Sequence, residues 1–505
     1  MTPKDGDVQG RLHPFTLFFA FWVGMRNIVV PFLASLFLFG RMREEQNYLW
    51  VAAAFVGFPL AFALVRYFTF TYRIENGELI TREGLFGRTE RHIPLNRVQD
   101  IRIEQDVLHR LLGMADVFVE TAGGRGPEAS LSVLARAQAE TLRAAVFTRE
   151  LPPGSIPAQA RTNERQVIRE LSFRDLVLAG LTSYRAASAL GIIFVVWQTL
   201  DDLLPANMYK RLAERITGWA FEWQGGGAGV EWLPVAVAVF GLLALGMSIS
   251  IIGSVVVFYG FTLSRTGEDI FRSHGLLTRL SSSLPRRRIQ LLKVEETWLR
   301  RLFGLAALRA DTAGGTIQPG QNPEGQKGRD VLLPVVPRDD VDALLPTFFP
   351  DLERVDGGWQ QVSRRAIRRG TTQGTLLVLL VAVVLCVVQR SWHGVWLLLL
   401  VPGVYGLTVM SYRHLGYWLG AQFFWVRSGW LSRSTHIVPI RNVQSVIIRQ
   451  TPFDRRHGVA TLIVDSAGQT NTGGGPRVEN VRWTEALHVA RTLAQRAAHT
   501  RYAER

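Results

Sequence analysis

Residues 232–261 read WLPVAVAVFGLLALGMSISIIGSVVVFYGF, thirty residues without a charge. A helix needs about 20 apolar residues to cross the hydrocarbon core of a bilayer. This segment, with its span at 232–258, therefore makes the chain a membrane protein. Five more apolar segments lie near 15–40, 48–66, 175–200, 374–389 and 393–412. They form three pairs, each followed by a long polar stretch, at about 67–174, 259–373 and 413–505. An even number of spans precedes each stretch, so all three are expected on one side. The run RRAIRR at 364–369, directly before the fifth segment, assigns that side to the cytoplasm by the positive-inside rule. Arg41, Arg43, Lys210, Arg211 and Arg215 in the opposing loops weaken that bias. Arg26 and Arg185 sit near the cytoplasmic starts of the first and third segments, where snorkelling suffices. Gly246, Ser250 and Ser254 give the fourth segment a small-residue face suited to helix packing.

The polar stretches repeat. HIPLNRVQ at 92–99 returns as SLPRRRIQ at 283–290 and as IVPIRNVQ at 437–444. Anchored there, the copies align without a gap over some forty residues. Gly84, Gly275 and Gly429 share a column, followed by Arg88, Arg279 and Arg433, then by Pro94, Pro285 and Pro439. Gln99, Gln290 and Gln444 come next. Arg110, Arg301 and Arg455 precede Gly113, Gly304 and Gly458, and Thr121, Thr312 and Ser466 each open an x-Ala-Gly triplet. Repetition at fixed spacing means one unit used three times. Within it, alternating apolar and polar residues between turn signals predict strands, and Asn76-Gly77 predicts a two-residue hairpin. A helix is expected at the end of each copy, over 131–147, in VPRDDVDALLPTFF, and over 484–499 with Thr484 as its N-cap.

The two-span hairpin followed by Gly-[Leu/Trp]-[Leu/Phe]-x-Arg and then Pro-x3-[Val/Ile]-Gln resembles the bacterial PH-like (bPH2) membrane proteins, more narrowly their three-repeat YdbT type. The resemblance covers essentially the whole chain. It implies an α+β membrane protein with three two-helix transmembrane hairpins, each followed by a small PH-like β-barrel with a C-terminal helix. The expected divisions are hairpins at 1–66, 175–258 and 374–412, PH-like domains at 67–150, 259–350 and 413–505, a linker at 151–174 and a basic linker at 351–373. The resemblance also implies a bacterial inner-membrane location, no catalytic activity, no cofactor, and a smaller YdbS-type single-PH membrane protein as partner. The second copy departs from the pattern: it lacks the Asn-Gly turn and carries a long polar tail, TAGGTIQPGQNPEGQKGRD.

A net charge of +15 suits an anionic partner. The spans favour membrane lipid over nucleic acid. Candidate lipid or anion contacts are the variable residues inside the motif, Arg97, Arg286, Arg287, Arg288 and Arg441, and the juxtamembrane Arg364, Arg365, Arg368 and Arg369. The repeated columns Arg88, Arg279, Arg433 and Arg110, Arg301, Arg455 fit either of two roles: capping loop carbonyls or gripping a lipid phosphate. Enzyme signatures are absent: no HExxH, no GxSxG and no Walker loop. A single cysteine, Cys386, rules out a disulfide or a Cys-based metal site within one chain. The function expected is a lipid- and protein-binding scaffold displaying three cytoplasmic domains. The alternative is a transport, export or envelope-defence role, such as resistance to a toxic peptide.

Overall fold

A computed structural model of the chain describes residues 9–11, 14–19, 21, 57, 60–61, 63–65, 67–84, 87–95, 98–121, 129–148, 166–183, 232–312, 331–355, 358–390, 392–466 and 475–503. They fall into two compact units. The first holds the chain up to Ile168 together with Thr262–Pro285; the second holds Arg169–Phe261, Arg286–Gly315 and Gly320–Arg505. The division runs through the second repeat, between Pro285 and Arg286.

The first repeat comprises β1 (Thr71–Glu75), β2 (Glu78–Glu83), β3 (Thr89–Pro94), β4 (Val98–Gln105), α1 (Val107–Leu111), β5 (Met114–Thr121), β6 (Ala129–Ala135) and α2 (Arg136–Thr148). After α3 (Phe173–Leu181) and α4 (Trp232–Phe258), the second gives β7 (Thr262–Thr266), β8 (Asp269–His274), β9 (Arg279–Pro285), β10 (Ile289–Glu296), α5 (Trp298–Leu302), β11 (Leu305–Thr312), β12 (Val331–Pro337) and α6 (Arg338–Phe348). The third opens with α7 (Arg365–Gln389), a 3-10 segment Trp392–Leu400 and α8 (Val401–His414). Then follow β13 (Gly416–Leu419), β14 (Phe423–Ser428), β15 (Arg433–Pro439), β16 (Val443–Arg449), α9 (Pro452–His457), β17 (Val459–Ser466), β18 (Arg477–Arg482) and α10 (Trp483–Ala503). Two expected helix starts shift. Residues 131–135 belong to β6, which pairs with β5. Helix α10 begins at Trp483, so Thr484 lies in its first turn and does not cap it.

The repeated columns have backbone reasons. Asn76 and Gly77 both have positive φ, as a type I′ hairpin turn requires. Gly84, Gly275 and Gly429 have φ of +101°, +118° and +82°, and a Cβ there would lie 2.2, 1.9 and 1.9 Å from the carbonyl oxygen three residues on. Only glycine fits. Pro94, Pro285 and Pro439 end β3, β9 and β15, where the missing N–H does no harm. The chain then turns, through 3-10 segments at Arg286–Arg288 and Ile440–Asn442, and buries Val98, Ile289 or Val443. The glutamine follows at a register shift in all three copies, between Val98 and Asp100, Ile289 and Leu291, and Val443 and Ser445. It is the extra residue of a β-bulge, which bends the strand.

The expected closed barrels do not form; the sheets are open and shared between repeats. One sheet runs β6-β5-β4-β9-β8-β7, with Gln166–Glu170 at its outer edge. Another runs β12-β11-β10-β15-β14-β13, edged by Gln360–Gln361. The second half of repeat one therefore continues into the first half of repeat two, and the second half of repeat two into the first half of repeat three. The strand that would close a barrel, β9 or β15, is taken by the preceding repeat. Arg279 lies opposite Gln105 in the first joint, and Arg433 opposite Glu296 in the second. By repeat column these are the same pair, so the two joints share one register.

A core gathers around each of the first and third repeats. In the first, Ile74, Leu79, Ile93, Ile101, Val117 and Leu131 from both its sheets meet Leu142 of α2. In the third, Phe424, Val438, Val464 and Val481 meet Ala486, Val489, Leu493 and Ala497 along one face of α10.

Among the described residues, three helices are long and apolar enough to cross a membrane: Phe240–Phe258, Arg365–Val388 and Gly394–His414. The fifth segment starts earlier than expected, at Arg365. The first two spans, Arg26 and Arg185 lie largely or wholly outside the described residues. Helices α7 and α8 form an antiparallel hairpin packed on glycines. A Cβ at Gly370 would meet Thr408, one at Gly374 would meet Val404, and one at Gly394 would lie 2.4 Å from the Ala382 carbonyl. The small face of α4 receives α3: Ser250 Oγ donates to the Gly180 carbonyl at 2.7 Å, and Ser183 and Ser250 share a hydrogen bond of 2.8 Å.

Candidate functional site

The second joint gathers arginines at the foot of the α7–α8 hairpin. Helix α8 ends at His414, and β13 starts at Gly416 with almost no linker. His414 Nδ1 lies 2.9 Å from the Met410 carbonyl one turn back, which accepts its proton. That tautomer leaves Nε2 to accept from Arg433 Nη2. Arg427 of β14 lies opposite Thr435, two residues from Arg433, so alternation puts both arginines on one face of the sheet. Its guanidinium stacks over the Trp359 ring at 4.6 Å. Arg301 of the preceding repeat joins them, donating to the Trp430 carbonyl at 2.8 Å.

Three guanidinium groups so placed repel one another. Burial, then the Arg433 charge, holds the Arg427 pKa below its usual value. Burial, then Arg301, does the same to Arg433, with Glu296 opposing. Both Nε atoms are buried and lack a hydrogen-bond partner. Unsatisfied donors in a crowded cationic cluster fit an anion with several acceptor oxygens, above all a phosphate. No carboxylate of the site quenches all three charges, since Glu296 is engaged by Arg338 Nε at 2.8 Å.

Around this cluster the surface is apolar. Trp298, Leu302 and Phe303 on and beside α5, and Leu431 in the turn before β15, are all exposed. At the first joint Val107, Leu108, Leu111 and Leu277 repeat the arrangement. Helix α5 with its N-cap also touches α3, because Thr297 Oγ1 and Arg300 Nε both donate to Thr182 just after it, and α3 packs on the membrane-spanning α4. A cationic cluster beside exposed Trp, Leu and Phe matches the headgroup region of a bilayer.

The arginines named from sequence separate into groups. Arg97 lies outside the described residues. Arg286 is buried and donates to the Phe348 carbonyl at 3.4 Å, because it occupies the core slot held by Leu95 and Ile440 in the other repeats. It is not presented to a surface. Arg287 and Arg441 are exposed and Arg288 is half-buried. Arg88 and Arg279 are exposed, and only Arg433 of their column enters the cluster. Arg110 donates to the Leu276 carbonyl at 2.9 Å across the first joint, as Arg301 does to Trp430 across the second. Arg455 is exposed in α9 of the third repeat. At the base of α7, Arg365 bonds the His457 carbonyl, and Arg369 bonds Asn480 and Asp454 at 2.7 and 3.1 Å. Those two anchor the hairpin to the third repeat, while Arg364 and Arg368 face solvent. Sequence reasoning missed Arg427, which no column marks, and Gly370 and Gly374, whose four-residue spacing was the available signal.

A family model for the bacterial PH domain matches residues 20–149, 228–347 and 375–497, well over half of the chain. The chain belongs to the bacterial PH domain family. Each match takes in apolar residues ahead of the strands as well as the strands themselves. The chain is also similar to UPF0699 transmembrane protein YdbT of Bacillus subtilis (strain 168), at 23% identity over 461 residues, 87% of this chain and 88% of that protein. No solved structure matches. The chain is thus a membrane protein with repeated bacterial PH domains.

Proposed function

We propose that this chain is a non-enzymatic scaffold of the bacterial inner membrane. It crosses the membrane several times and holds its bacterial PH repeats against the cytoplasmic leaflet. There the Arg301–Arg427–Arg433 cluster binds the phosphate of an anionic lipid. The observation that carries this reading is the pair of buried, unpartnered Nε atoms of Arg427 and Arg433 beside the last residue of a membrane-spanning helix. The same hairpin supports the cytoplasmic side: Arg364, Arg365, Arg368, Arg369 and Arg413 lie at one end of it, against Arg390 at the other. The resemblance adds a smaller single-PH membrane protein as a partner in the complex.

The test uses the whole protein, since its sheets are shared between repeats. In nanodiscs, an anionic phospholipid in place of a neutral one is expected to raise the unfolding temperature. Arg427→Ala with Arg433→Ala is expected to remove that gain. An equal gain in the double variant would refute the site. Lipid and protein co-purified from native membrane, identified by mass spectrometry, should include anionic lipid and the smaller partner. Substrate flux across reconstituted vesicles would refute a scaffold and support transport.

A further inference from the structure

Among the described residues, two strands lack the partner that their counterparts in the other repeats have. Internal repeats meet by pairing the pre-corner strand of one (β9, β15) with the post-corner strand of the one before (β4, β10). In the first repeat the pre-corner strand is β3, and it ends its sheet; in the last, the post-corner strand is β16, and it too ends its sheet, among the described residues. Burial follows the pairing. Leu292 and Val294 of β10 are buried, whereas Val446 and Ile448, which hold the same columns in β16, are only half-buried. Four of the six residues of β3 are exposed. Its charged side chains are occupied along β2, Glu90 with Arg82 at 2.9 Å and His92 with Glu78 at 3.0 Å, and among the described residues no strand pairs its other backbone edge. The clamp over each joint has a spare as well. Arg110 and Arg301 each reach a carbonyl of the following repeat; Arg455, third in the column, is exposed.

We propose that these edges pair with each other between molecules: β16 of one copy of this chain takes β3 of the next, extending the repeat series head to tail. The chain carries both complementary edges, so a second copy satisfies them without a third component. Strand addition at an open edge is an established mode of association. Column correspondence fixes the register. Ser281 opposite Ile103, and Thr435 opposite Val294, are equivalent pairs in the two internal joints. The matching intermolecular pair is Glu90 opposite Ile448, with Arg455 reaching over the joint.

The test is cysteine cross-linking of the full chain in its native membrane, in a Cys386→Ser background. Glu90→Cys with Ile448→Cys is expected to give covalent dimers and higher multiples on mild oxidation. Glu90→Cys with Ser445→Cys, three positions out of register, is expected to give none. Arg455→Ala, at an exposed position, should lower the cross-linked fraction several-fold without changing the elution of the folded protein. Free thiols throughout, a disulfide closed within one chain, or a cross-link to a different protein would each overturn the proposal. Failure here leaves the arginine cluster untouched, because that site is read by lipid dependence alone.

Discussion

At the scale of single residues, the repeat is written mainly in backbone demands. Gly429 turns at φ +82° with a carbonyl where a side chain would go. Gly429→Ala should destabilise by about 2 kcal/mol or more, from left-handed strain plus the clash, read as a lowered unfolding temperature. His436 makes a different prediction. Burial, then Lys293, pushes its pKa down to about 4, with Glu295 opposing and Arg477 assisting. The unfolded chain, near 6.5, takes up the proton first as pH falls. Stability is therefore full above about 6.5 and lost toward 4, by at most about 3 kcal/mol. His436→Gln should flatten the thermal profile across that window; an unchanged slope would show that other groups set it. The glycine columns and the Asn76-Gly77 turn were legible in the sequence because each is a local constraint. Arg286 was not. A triple arginine reads as a solvated charge run, and only its column, shared with Leu95 and Ile440, marks it as a core position.

At the scale of elements, helices meet at glycine and serine, since close approach supplies what hydrophobicity cannot inside a bilayer. A Cβ at Gly394 would strike the Ala382 backbone, which cannot rotate aside. Gly394→Leu should part α7 from α8, and chemical labelling of Cys386, packed against Gly394, should become faster. Labelling at the parent rate would show that the hairpin holds by other contacts. The Gly246-Ser250-Ser254 face was visible as a spacing, and its partner α3 was not, because an amphipathic face announces a contact without naming its neighbour. The strands divide the same way. Alternation and turns located them, and the bulge at Gln99, Gln290 and Gln444 accounts for the recurring glutamine. Where each β6 or C-terminal helix begins depends on pairing with a distant strand, which local pattern does not contain.

At the scale of the whole molecule, three sequence repeats do not yield three closed barrels. The sheets cross repeat boundaries, so the arginine columns, which belong to successive repeats, meet at the joints. That is how Arg301 comes to lie beside Arg433, and why the candidate lipid site contains residues from two repeats. Strand order between repeats is long-range information, and a repeat alignment gives every copy the same neighbours by construction. The sharing of sheets is most directly tested by cysteine pairs across the internal joints, again with Cys386→Ser. Ser281→Cys with Ile103→Cys, and Thr435→Cys with Val294→Cys, are both expected to form disulfides within one chain, seen as protected thiols at unchanged mass on a denaturing gel. Folded protein whose four cysteines all stay free under oxidation would contradict the shared sheets, and with them the site built at the joint.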